Sequence, residues 1–167
     1  MAVPLPMPAL RQVPAEIFCT LGWIYGTLHT PTHQSLLDFL TLSGASIKLT
    51  RVRVPQEPDL LGFLDLRRDS ISLIAPPRDA TGAAAGAHGA VNTRDIACLF
   101  EESILRGSLE VPVGLRLSDY LRQEGPYLVL RHCMLTPFGA TLNSPGAKTL
   151  DLAIVNLEQV VGVSETS

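Results

Sequence analysis

Twenty-one residues beginning at Ile24, IYGTLHTPTHQSLLDFLTLSG, meet a near copy of themselves 81 positions later in LRGSLEVPVGLRLSDYLRQEG, which begins at Leu105. Seven positions are identical without a gap: Gly26 and Gly107, Leu28 and Leu109, Pro31 and Pro112, Leu36 and Leu117, Asp38 and Asp119, Leu40 and Leu121, Gly44 and Gly125. Phe39 against Tyr120 adds a conservative pair. Self-similarity at a fixed period marks a structural unit used more than once, and it constrains the fold more than any single motif. Downstream, FLDLRRDSISLI from Phe63 lies on LAIVNLEQVVGV from Leu152 at an offset of 89, which assigns eight extra residues to TPFGATLNSPGAK in the second copy. Upstream, EIFCTLGW corresponds to DIACLFEES as the opening strand of each copy. The chain therefore divides into a Pro-rich flexible tail (1–14), a first unit (15–75), an Ala/Gly-rich linker (76–93) and a second unit (94–164).

Both units carry the same local signals. Alternating apolar residues in Ile17, Cys19 and Leu21, then Ile24, Gly26 and Leu28, predict a long bent strand or hairpin. Pro31 and Pro112 end it. Leu36, Phe39 and Leu40 form one face of a short helix whose start is signalled by Thr or Ser and whose end is signalled by Gly44, and Leu117, Tyr120 and Leu121 repeat that face. ASIKLTRVRV and PYLVLRHCML follow as alternating strands, and a change of parity near Arg51 requires a bulge. Two short apolar strands around a polar turn, RRDS or NLEQ, close each unit. The expected fold is mainly β (α+β): two tandem copies of a small SH3/Sm-like barrel-type unit with one short helix each. A unit of 60 to 70 residues is marginal alone. The copies are therefore expected to pack as a pseudo-twofold pair.

Composition supports a globular chain. Hydrophobic residues make up 46% and charged residues 17%, too apolar for disorder. Gly, Pro, Arg or Asp interrupts every apolar run well short of the roughly 20 residues a membrane helix needs. A net charge of −3 from interspersed groups argues against nucleic acid as a partner. Pro4, Pro6, Pro8 and Pro14 break the helix a signal peptide would form, so a cytoplasmic location is expected. Cys19, Cys98 and Cys133 make an odd set without a C-x-x-C pair and read as buried free thiols.

The order I-x-G-x-L, then L-S-D-Y-L, then LAIVNLEQVVGV resembles an uncharacterised family of small bacterial domains. The likeness covers most of 94–164 and, more loosely, 15–75, where LLDFL replaces LSDYL. It implies no activity, cofactor or catalytic residue.

Few residues offer chemistry. Asp38 and Asp119 are the acidic pair within the repeated block, but no His, Cys or metal ligand repeats beside them, so they read as helix-surface or hydrogen-bonding groups. His29 and His33 have a metal-binding spacing, yet Pro31 intervenes, and the second copy has Glu110 and Gly114 there. His88 and His132 are scattered, and GAAAGAHGAVN lacks the G-K-[ST] of a phosphate loop. No catalytic residue, metal site or cofactor is expected. Arginine outnumbers lysine 11 to 2, with Arg51, Arg53, Arg67 and Arg68 on two adjacent strands of the first copy. The repeated positions Gly26, Leu28, Pro31 and Asp38, with Gly107, Leu109, Pro112 and Asp119, read as structural. The leading functional expectation is a non-catalytic protein–protein interaction or assembly module, most simply a homo-oligomer. The alternative is a small-ligand or nucleotide sensor, for a cyclic dinucleotide for example, using the four arginines.

Overall fold

A computed structural model of the chain describes residues 7–77, 89–140 and 146–166. The strands are β1 (Leu10–Cys19), β2 (Gly22–Pro31), β3 (Ser46–Arg53), β4 (Leu61–Arg67), β5 (Ile71–Ala75), β6 (Val91–Leu99), β7 (Ser103–Pro112), β8 (Tyr127–Pro137), β9 (Lys148–Asn156) and β10 (Gly162–Glu165). Helix α1 (Leu36–Leu42) joins β2 to β3, and α2 (Leu117–Gln123) joins β7 to β8. A 3-10 turn at Arg68–Ser70 links β4 to β5, and another at Leu157–Gln159 links β9 to β10. The same element order thus occurs twice along the chain.

All ten strands form one antiparallel sheet in the order β10-β6-β7-β8-β9-β5-β1-β2-β3-β4. The mainly β class agrees with the sequence, but the sheet is open and does not close into a barrel. Its two halves meet where β5 pairs with β9, Leu73 opposite Val155 and Ile74 opposite Ile154. This seam joins the fifth strand of one half to the fourth strand of the other. A twofold would bring equivalent strands together, so the join is head-to-tail rather than the expected pseudo-twofold.

Two cores lie on opposite faces of the seam. One gathers Ile17, Ile24, Leu28, Leu40, Ile47, Leu49, Ile71 and Ile74 from the first half, and it also receives Tyr127, Leu152 and Ile154 from the second. The other gathers Ile96, Cys98, Leu105, Leu109, Leu128, Leu130, Cys133 and Val155, and it receives Leu73 and Ala75 from the first half. Strands β5 and β9 are therefore covered on both faces, which explains why ISLIA and LAIV are nearly continuous apolar runs.

The expected bulge is present in both halves. Between Tyr25 and Thr27 on β2 there are two steps, against three from Arg53 to Thr50 on β3. Arg106 and Ser108 on β7 face Met134 and Arg131 on β8 in the same way. The extra residue places both Thr50 and Arg51 outside the core and returns Val52 to it. Arg51 and His132, 81 positions apart, both have φ +51°. The repeated glycines sit opposite: a Cβ on Gly26 would lie 3.3 Å from Val52 Cγ2, and one on Gly107 would lie 2.9 Å from Cys133 Sγ. Close approach of the bulged strand leaves no room for a side chain at Gly107 and makes one tight at Gly26.

Some boundaries differ from expectation. Residues 10–14, read as tail, belong to β1, with Pro14 opposite Thr27. Pairing of β1 with β5 starts only at Glu16, so Pro14 lies where the strand has a single neighbour and a missing N–H is tolerated. Strand β6 starts at Val91 rather than 94. The linker reading for 78–88, His88 included, and the tail reading for 1–6 fall outside the described residues. The eight added residues of the second half accompany a longer β8–β9 pair, 11 and 9 residues against 8 and 7 in β3 and β4.

Candidate functional site

The four arginines of the first half separate into two places. Arg67 pairs across from Ser46, at the opposite end of β3 from Arg53, which puts the two roughly 20 Å apart along the strand. Arg67 makes two contacts with the Asp69 carboxylate, at 3.0 and 2.5 Å. Arg68 reaches across the seam to Glu158 at 3.3 Å and lies 5.2 Å from the centroid of the buried Tyr127 ring. Both line an open hollow with Asp65, Asp69 and Glu158, so carboxylates already answer their charge. Asn156 fastens the same corner: its amide donates to the carbonyls of Arg68 and Ile71 at 3.1 and 3.0 Å. These contacts hold the seam.

Arg51 and Arg53 line a different feature, a cleft of about 680 Å³ where β1, β2 and β3 face the start of β9. Its other charged groups are Glu16, Lys148 and Asp151, and Tyr25, Leu60, Pro76 and Pro77 supply apolar surface. Lys148 is held at the wall by an ion pair with Glu16, with its Nζ 4.0 Å from the Trp23 ring centroid and 5.3 Å from that of Tyr25. Arg51 Nη2 donates to Gln12 Oε1 at 3.2 Å. No hydrogen bond or ion pair engages Arg53 among the described residues. Cations therefore outnumber carboxylates three to two in this cleft.

No family model, curated protein or solved structure matches this chain.

The remaining candidates have structural partners. Asp38 completes a cap on α1: Ser35 Oγ accepts from the Asp38 backbone N–H at 3.0 Å and donates to its carboxylate at 2.7 Å. Asp119 lies 3.9 Å from Arg122, one turn along α2. His29 Nε2 is 2.7 Å from Thr50 Oγ1, and among the described residues no group of three or more His, Cys, Asp or Glu is placed to hold a metal. The three cysteines are buried free thiols. Burial pushes Cys98 and Cys133 up to about 12, with Cys98 itself adding to the effect on Cys133, and it raises Cys19 as well. Such thiols are poor nucleophiles at neutral pH.

Lys148, Glu16, Trp23 and Tyr25 were not singled out from the sequence. Glu16 and Lys148 are 132 residues apart, and no periodicity connects them.

Proposed function

We propose that this chain is a non-catalytic cytoplasmic interaction or assembly module, built from two diverged copies of one SH3/Sm-like unit, that associates with further copies through its sheet edges. The likeness of the second unit to uncharacterised small bacterial domains is part of that reading. The observation that carries it is the seam: a fifth strand of one half accepts a fourth strand of the other. The counterparts of these strands, β10 and β4, end the sheet with one neighbour each. Each leaves main-chain donors and acceptors available for strand addition. Large apolar side chains accompany them: Leu60 and Phe63 at or beside β4 are each 58% exposed, and Val161 before β10 is 72% exposed. No helix among the described residues is long and apolar enough to cross a membrane.

Light scattering during size exclusion across a wide range of protein concentration tests the reading. The expected result is a mass that rises with concentration in multiples of 18.0 kDa and falls back in a Phe63→Lys, Val161→Lys variant. A mass fixed at 18.0 kDa throughout would overturn it.

A further inference from the structure

We propose that the cleft between β3 and β9 is a binding site for a small phosphate ester carrying a flat ring, of nucleotide size, with Arg51 and Arg53 as its anion-binding groups. The volume of about 680 Å³ falls in the range of small-molecule sites. Its mixed lining suits a ligand with one charged and one apolar end. Tyr25 pairs across from Arg53 and is 43% exposed, so a flat aromatic surface lies beside an unengaged guanidinium. Guanidinium forks match phosphate oxygens in pairs, and Arg also stacks on rings.

Three features bear on these arginines. First, no carboxylate competes with an anion for either: Arg51 has only the neutral Gln12 amide, and Arg53, like Arg106 and Arg116, has no hydrogen bond or ion pair among the described residues.

Second, Arg51 stands at φ +51°, a conformation for which glycine is the unstrained choice. The bulge alone asks for no guanidinium: the second half builds the same bulge with His132, also at φ +51°.

Third, these two positions carry arginine only in the half that has a wall to complete the cleft. The positions 81 residues on from Arg51 and Arg53 are His132 and Met134. In the first half β5 is bordered by β9, which supplies Lys148 to Leu152 as the far wall; in the second half the counterpart of β5, β10, is the sheet edge and has no such neighbour.

Calorimetry and thermal-shift titration of the full chain with ribose 5-phosphate, ADP and adenosine test the assignment. The expected order is ADP tightest, ribose 5-phosphate weaker, and adenosine without measurable binding. Arg51→Gly is the informative variant, because glycine suits φ +51°: thermal stability is retained or raised while ADP affinity falls about tenfold or more. Arg53→Gln weakens ADP similarly, and Arg67→Gln leaves it unchanged. No response to either phosphate at millimolar concentration would overturn the proposal. So would ADP affinity that survives Arg51→Gly and Arg53→Gln together, or adenosine binding as tightly as ADP.

Discussion

Strands β5 and β9 at the seam have counterparts in β10 and β4 at the rims, and the two sets differ by position rather than at random. Side chains that face their own half's core stay apolar in both: Ile71 and Ile74 on β5 correspond to Val160 and Val163, and Ala153 and Val155 on β9 correspond to Leu64 and Leu66. Of the side chains that face the neighbouring half, three of four do not. Leu73 and Ala75 on β5 become Gly162 and Ser164, and Ile154 on β9 becomes Asp65, while Leu152 keeps an apolar counterpart in the exposed Phe63. A strand in this fold therefore carries two separate demands, one from the core beneath it and one from whatever covers its other face. Where nothing permanent covers the second face, a charge and small polar residues keep the edge soluble when unpaired.

Exchanging single residues between seam and rim should have the largest effect. Ile154→Asp places at the seam the residue found at the rim, and buries a carboxylate in an apolar core without a partner, at a cost of about 4 kcal/mol or more. The reciprocal Asp65→Ile, at an exposed site, should leave the urea midpoint nearly unchanged and increase self-association in light scattering. Equal destabilisation by the two variants would show that seam and rim do not differ as described.

Much of this contrast was legible in sequence. The parity break near Arg51 located the bulge, because alternation must be restored for Val52 to reach the core. The apolar runs in β5 and β9 marked them as short buried strands. The pairing of β5 with β9 was not legible, since Leu73 and Val155 share no local pattern, and the pseudo-twofold expectation filled that gap wrongly. The separation of Arg53 from Arg67 follows from antiparallel geometry, because Arg53 lies at the turn end of the β3–β4 pair and Arg67 at its far end, opposite Ser46. The far wall of the cleft, supplied by β9, depended on the seam and stayed hidden with it.

Alkaline titration asks whether the seam makes one cooperative body of two cores. Cys98 and Cys133 lie in the second-half core, 0% and 1% exposed, with pKa values raised to about 12 from an ordinary value of 9.0. A thiol whose pKa is raised by folding contributes stability that is complete below the unfolded pKa and is lost as pH rises towards the folded one. Stability should therefore hold to about pH 8 and then fall, by about 1.4 kcal/mol per thiol at pH 10. Because β5 and β9 supply residues to both cores, heat should unfold the chain in one transition whose midpoint drops with rising pH. Cys98→Ala should flatten that drop. Two transitions at high pH, only the lower one pH-dependent, would show that the seam couples the halves weakly.

The smallest effect concerns the polar fastening of the seam. Asn156 is 0% exposed and donates to the carbonyls of Arg68 and Ile71, while its own carbonyl accepts from the backbone N–H of Glu158 at 3.2 Å. Asn156→Ala removes all three bonds and leaves those backbone groups unpaired near the core, a loss of about 2 kcal/mol in urea unfolding. Its rim counterpart 89 residues earlier is Arg67, whose ion pair with Asp69 is 77% and 60% exposed on its two sides. Solvent screens such a pair, and Arg67→Ala should produce no measurable change. A conservative test follows from the amide's two roles. Asn156→Asp keeps the acceptor for Glu158 but turns a charged oxygen towards two carbonyls, so it should be worse than alanine. If Asp is tolerated as well as Asn, the amide's donation to Arg68 and Ile71 is not what fastens the halves, and the seam rests on its apolar faces alone.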